Sequence, residues 1–72
     1  MVRKFSVTLH GHRTSFSLEE EFFSALKDID TRRGQSLASL IAEVDEGRGE
    51  GDNLSSALRV HVLKAALAER VG

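Results

Sequence analysis

The 72 residues include no cysteine and no proline and carry a formal net charge of −1. That is room for one domain, and it excludes disulfides and thiolate metal sites. No stretch reaches the roughly 18 apolar residues of a membrane span. Residues 1–12 hold no apolar core of signal-peptide length, so the expectation is an unexported, cytoplasmic protein with no membrane role. A chain this short buries only about 60% of the surface its unfolded form exposes. With disulfides excluded, a partner chain is the expected source of further stability.

The charge is unevenly distributed. Residues 1–18 contain Arg3, Lys4 and Arg13 and no acid, a balance of +3. The remainder carries seven basic and eleven acidic side chains, a balance of −4. A weak basic footprint therefore sits at the N-terminal end, and a dimer would double it.

Taken in chain order, residues 4–9 alternate, with Phe5, Val7 and Leu9 on one face and Lys4, Ser6 and Thr8 on the other. This is the pattern of a half-buried strand. Residues 13–18 alternate as well. Thr14, Phe16 and Leu18 share one face, and Arg13, Ser15 and Ser17 share the other. Gly11 can supply the positive φ of a tight turn. A two-residue turn at His10-Gly11 sets Phe5 opposite Phe16, Val7 opposite Thr14, and Lys4, Ser6 and Thr8 opposite Ser17, Ser15 and Arg13. Pairing of the second strand with another chain is the alternative.

Ser17-Leu18-Glu19-Glu20 reads as a capping box that opens a helix over about 18–33. Phe22, Leu26 and Ile29 form its apolar stripe, with Phe23 beside them. Glu19, Glu20 and Glu21 suit the positive end of the helix dipole, Arg32 and Arg33 suit the other end, and Gly34 stops the helix. Ser36 is the expected N-cap of a second helix over about 36–46, with Leu37, Leu40, Ile41 and Val44 as its stripe. A glycine-rich loop from Gly47 to Asp52 follows. A third helix over about 54–70, capped near Asp52 or Asn53, has two apolar faces. One holds Leu54, Leu58 and Val62; the other holds Val60, Leu63, Leu67 and Val71. So broad an apolar surface again predicts a second chain.

Catalytic and cofactor motifs are missing from this pattern. The carboxylates fall on helix faces and in the loop, no serine stands at a nucleophile elbow, and the Gly47–Gly51 loop lacks the lysine of a P-loop. The expectation is a non-enzyme without cofactor. His10 and His12, with His61, invite a metal reading, but a structural site wants about four ligands. The plainer reading, a turn histidine and a strand-end histidine, is the one adopted, with no metal.

Strand, helix, glycine turn and helix is the order of the ribbon-helix-helix repressor superfamily. The chain resembles in particular a group of small alphaproteobacterial-type ribbon-helix-helix proteins. The resemblance is carried by Ser6-Val7-Thr8, by Gly11-His12-Arg13-Thr14-Ser15-Phe16-Ser17-Leu18-Glu19, by Arg33-Gly34-Gln35-Ser36-Leu37, and by Asn53-Leu54-Ser55-Ser56-Ala57-Leu58-Arg59-Val60. It implies an α+β fold in a single domain over residues 1–72, with N-terminal strands followed by three helices, assembled as an intertwined homodimer. It further implies a DNA-binding transcriptional regulator, a repressor that inserts an antiparallel β-ribbon into the major groove of double-stranded DNA. Carried onto this sequence, Arg13, Ser15 and Ser17 read bases, and Ser36, Lys4 and Arg3 contact phosphates. The strand before the ribbon strand departs from the simplest family pattern. If it folds back, the dimer sheet has four strands, which must splay, cover the ribbon or move on DNA. The rival reading is a dimerisation or protein-interaction module, antitoxin-like, that engages a protein partner through residues 54–70.

Overall fold

The computed structural model describes residues 1–49 and 51–71, with the side chains of residues 70 and 71 outside the description. Its elements, in order, are β1 (Val2–Leu9), β2 (His12–Glu19), α1 (Glu20–Arg33), α2 (Leu37–Gly47) and α3 (Leu54–Val71). The two strands form one antiparallel hairpin, and the three helices cover one of its faces.

The hairpin register is the one predicted by the alternation. Phe5 pairs with Phe16, Val7 with Thr14, Ser6 with Ser15 and Thr8 with Arg13. His10 and Gly11 close it with φ values of 52° and 80°, the positive pair that a type I′ turn requires. The ladder extends further than the alternation suggests, to Val2 opposite Glu19.

That extension corrects one sequence-based expectation. Ser17 is not a helix cap: it lies inside β2, opposite Lys4. The helix opens at Glu20, and Glu19, its extended N-cap residue, makes no side-chain capping bond. The reason is tertiary. The Ser17 N–H donates to Ser55 Oγ of α3 at 2.8 Å, so the backbone at Ser17 stays extended.

The other boundaries follow local chemistry. Gly34 ends α1 with φ 68°, the left-handed geometry glycine accepts without a Cβ clash. Ser36 caps α2, its hydroxyl accepting from the Ser39 N–H at 3.1 Å. Asn53 caps α3 by accepting from the Ser56 N–H at 2.7 Å.

The core is one cluster drawn from every element. Leu9, Phe16 and Leu18 come from the sheet, Leu26 and Ile29 from α1, Leu40 and Ile41 from α2, and Leu54, Leu58 and Val62 from α3. Phe5 stacks against Phe16 and Phe23, with ring centroids 5.4 and 4.0 Å away. The second apolar face of α3 is open: Val60, Leu63 and Leu67 are 46%, 55% and 48% exposed.

Candidate nucleic-acid interface

The face of the hairpin turned away from the helices is polar. Because strand side chains alternate, the paired positions Lys4–Ser17, Ser6–Ser15 and Thr8–Arg13 share it. Five of these six residues are exposed, and Ser17 is half-buried. Lys4, Ser6, Arg13 and Ser15 line a shallow depression on it. Among the described residues, Lys4 and Arg13 make no ion pair, whereas six other basic side chains do. The face therefore presents two uncompensated cations among small hydroxyls, with no carboxylate between Val2 and Leu18.

The sequence-predicted site residues are not all on this face. Arg13, Ser15, Ser17 and Lys4 are together. Arg3 has the opposite parity and lies on the helix side of the hairpin. It donates to Glu20 Oε1 at 3.1 Å, and its guanidinium stands 5.5 Å from the Phe5 ring. Ser36 is elsewhere too. The C-terminal end of α2 meets the hairpin turn, where Glu46 Oε1 is 3.5 Å from His10 Nε2. Ser36, at the other end of an 11-residue helix, is roughly 16 Å away along its axis.

The edge of β2 remote from β1 has two distinct parts. In an antiparallel pair, alternate residues spend both backbone groups on the partner strand and the residues between point theirs outward. Ser17 sets the phase. Its N–H donates to Ser55 Oγ, and its C=O accepts from Arg59 Nη2 at 3.4 Å. Arg13 and Ser15 therefore also point outward, and among the described residues no other element bonds to them. Arg59 additionally donates through Nε to Glu19 Oε1 at 3.0 Å. The Glu19 backbone hydrogen bond and the Arg59 guanidinium hold the Glu19 carboxyl below its ordinary value. Ser55 and Arg59 thus form a latch over one end of the β2 edge, and the part nearer the turn is left open. Sequence reasoning missed this pair. Ser55 and Arg59 lie one helical turn apart, on a helix that only the tertiary fold brings against β2.

The histidines do not converge. His10 sits at the turn, and His61 lies on α3 with its Nε2 buried and without a hydrogen-bond partner. Among the described residues, no group of three or more His, Asp or Glu side chains could hold a metal ion. Nor is any helix there long and apolar enough to cross a membrane.

Comparison with known proteins bears on the fold and its class. No curated protein and no solved structure matches the chain. A family model described as a ribbon-helix-helix domain matches residues 2–66, which spans the hairpin, α1, α2 and most of α3. The chain belongs to the ribbon-helix-helix domain family.

Proposed function

We propose that the protein is a DNA-binding transcriptional regulator, a cytoplasmic homodimeric repressor that binds rather than catalyses. The observation that carries this reading is the outward hairpin face, where Lys4 and Arg13 stand among Ser6, Thr8, Ser15 and Ser17 with no acidic partner among the described residues. Arginine can bond guanine in a bidentate manner, and serine can donate or accept. Two hairpins joined through the open edges of β2 form a four-stranded sheet with the β2 strands in the middle. Three strand spacings set the outer strand axes about 14 Å apart, wider than the major groove of about 12 Å that takes a two-stranded ribbon, so the β1 strands splay to the groove rims and only the central pair enters. The central strands then carry Arg13 and Ser15 toward base edges, with Ser17 at the margin. The flanking β1 strands bring Lys4 over the phosphates.

The N-terminus of α2 at Ser36 supplies a second phosphate contact through its unpaired N–H groups. Arg3 contributes only if it leaves Glu20. A two-fold dimer matches a short palindromic operator.

A second reading, a protein-interaction or antitoxin-like module, is favoured by one observation: the exposed stripe of Val60, Leu63 and Leu67 on α3. The two separate in a mobility-shift titration with DNA from upstream of the gene and with bulk DNA. Phosphate neutralisation gives an affinity that falls steeply between about 50 and 200 mM salt. A sequence-dependent, salt-sensitive shift is the expected result. Absence of any shift at physiological salt on either DNA moves the function to α3 and its protein partner.

A further inference from the structure

We propose that α3 sets the register at which a second copy of this chain joins β2, with Thr14 on the two-fold axis. The inference rests on the homodimer reading above and specifies its geometry. A free edge of a two-stranded hairpin is a template for another strand. Here the template is bounded at both ends. Toward the N-terminus it stops at the turn, where His10 and Gly11 leave extended geometry. Toward the C-terminus it stops at Ser17, whose N–H and C=O are taken by Ser55 and Arg59. Only Arg13 and Ser15 offer open backbone groups between these limits.

An isologous antiparallel pairing of two such edges has few solutions. Setting Arg13 opposite the partner's Ser15, and Ser15 opposite the partner's Arg13, uses all the open groups of both chains in four hydrogen bonds. Thr14 then faces the partner's Thr14 across the axis as a non-hydrogen-bonded pair. The turn of each hairpin ends beside the latch of the other chain. Centring the ribbon on Ser15 instead would place Arg13 opposite the partner's Ser17, so the Ser55 and Arg59 bonds would have to break in both chains. Centring on Arg13 would place Ser15 opposite the partner's Gly11, inside the turn. The latch therefore excludes the Ser15-centred register and the turn disfavours the Arg13-centred one. The Thr14-centred register also decides which groups meet the DNA. Each Arg13 lies beside the partner's Ser15, giving two Arg-Ser pairs related by the axis.

Single-cysteine crosslinking reads this register, because the native chain has no cysteine to interfere. Directly opposite residues in a non-hydrogen-bonded pair have Cα atoms about 4.5 Å apart, within disulfide reach, whereas diagonal neighbours are about 7–8 Å apart and out of reach. Full-length Thr14→Cys, Ser15→Cys and Arg13→Cys variants are oxidised at low protein concentration and resolved on non-reducing gels. Their mass in solution is measured by sedimentation under reducing conditions. The expected result is a covalent dimer with Thr14→Cys and its loss with Ser15→Cys and Arg13→Cys. In an added Ser55→Ala/Arg59→Ala background, the Ser15→Cys dimer should gain yield as the latch opens. A dominant Ser15→Cys or Arg13→Cys dimer in the parent background overturns the register. Dimeric mass with no crosslink at any of the three positions overturns edge pairing through β2. Monomeric mass with no crosslink removes the homodimer reading itself, and the register with it.

Discussion

At the residue scale, the hairpin turn carries a local mismatch. His10 adopts φ 52°, a left-handed conformation that costs a non-glycine residue roughly 1 kcal/mol and that Asn tolerates better. Its contact with Glu46 is between side chains more than half exposed, so losing it costs little. His10→Asn should therefore raise stability by about 0.5 kcal/mol, read as an increased midpoint in urea. Gly34 gives the opposite case. Nothing lies within 4 Å of a Cβ added there, so only its φ of 68° resists substitution. Gly34→Ala should cost about 1 kcal/mol of unfolding free energy. For Arg13 the proposed function, rather than folding, is what a substitution tests. It is exposed and unpaired, so Arg13→Ala should leave the melting temperature unchanged while costing about 1–3 kcal/mol of operator affinity. Equal operator binding by mutant and wild type would remove its base-reading role.

At the element scale, the informative contact is α3 against β2. Leu58 is fully buried in the core cluster beside the latch. Leu58→Ala should cost about 2–5 kcal/mol, a large share of the stability of a domain this small. It would show as loss of the cooperative thermal transition near room temperature. The latch also makes folding depend on acid. The Glu19 carboxyl pKa is lowered in the folded chain, first by its own backbone hydrogen bond and then by Arg59, so the ionised form stabilises the fold and Arg59 supplies part of that stabilisation. That contribution is complete above the unfolded value and disappears as pH falls through the lowered folded value. Thermal melts from pH 7 to pH 3 should therefore fall more in the wild type than in Arg59→Gln, which lacks the guanidinium. Parallel pH profiles for the two proteins would show that the ion pair contributes nothing.

At the scale of the whole molecule, local and long-range information divide clearly. The alternation of residues 4–9 and 13–18 together with Gly11 set Phe5 opposite Phe16 for a hairpin within one chain, and the structure decided for that hairpin over pairing with another chain. Period two fixes the faces, and a two-residue turn fixes the register. Gly34 and Ser36 were legible for a similar reason, since a left-handed stop and an N-cap act within one helical turn. The candidate face Arg13, Ser15, Ser17 and Lys4 follows from the same alternation. Ser17 shows where local reading fails. Ser17-Leu18-Glu19-Glu20 has the spacing of a capping box, yet a strand and a helix compete for those residues, and the Ser55 hydroxyl 38 positions away decides for the strand. Ser36 shows the same limit for the site. The packing of α2 puts Ser36 at the end of that helix far from the hairpin turn, which no local pattern specifies, whereas the parity that Arg3 shares with Phe5 was legible in the alternation and was overridden by its charge.

By itself, then, the sequence specified the order of the elements, the Ser36 cap of α2 and the polar face, and narrowed the α3 cap to Asp52 or Asn53 and the hairpin to one in-chain register, because each depends on neighbours within a few residues. Only the tertiary structure decided that Ser55 and Arg59 close one end of the β2 edge while Arg13 and Ser15 stay open. Those bonds join residues about 40 positions apart, and they exist only once the shared apolar core has brought α3 against the sheet.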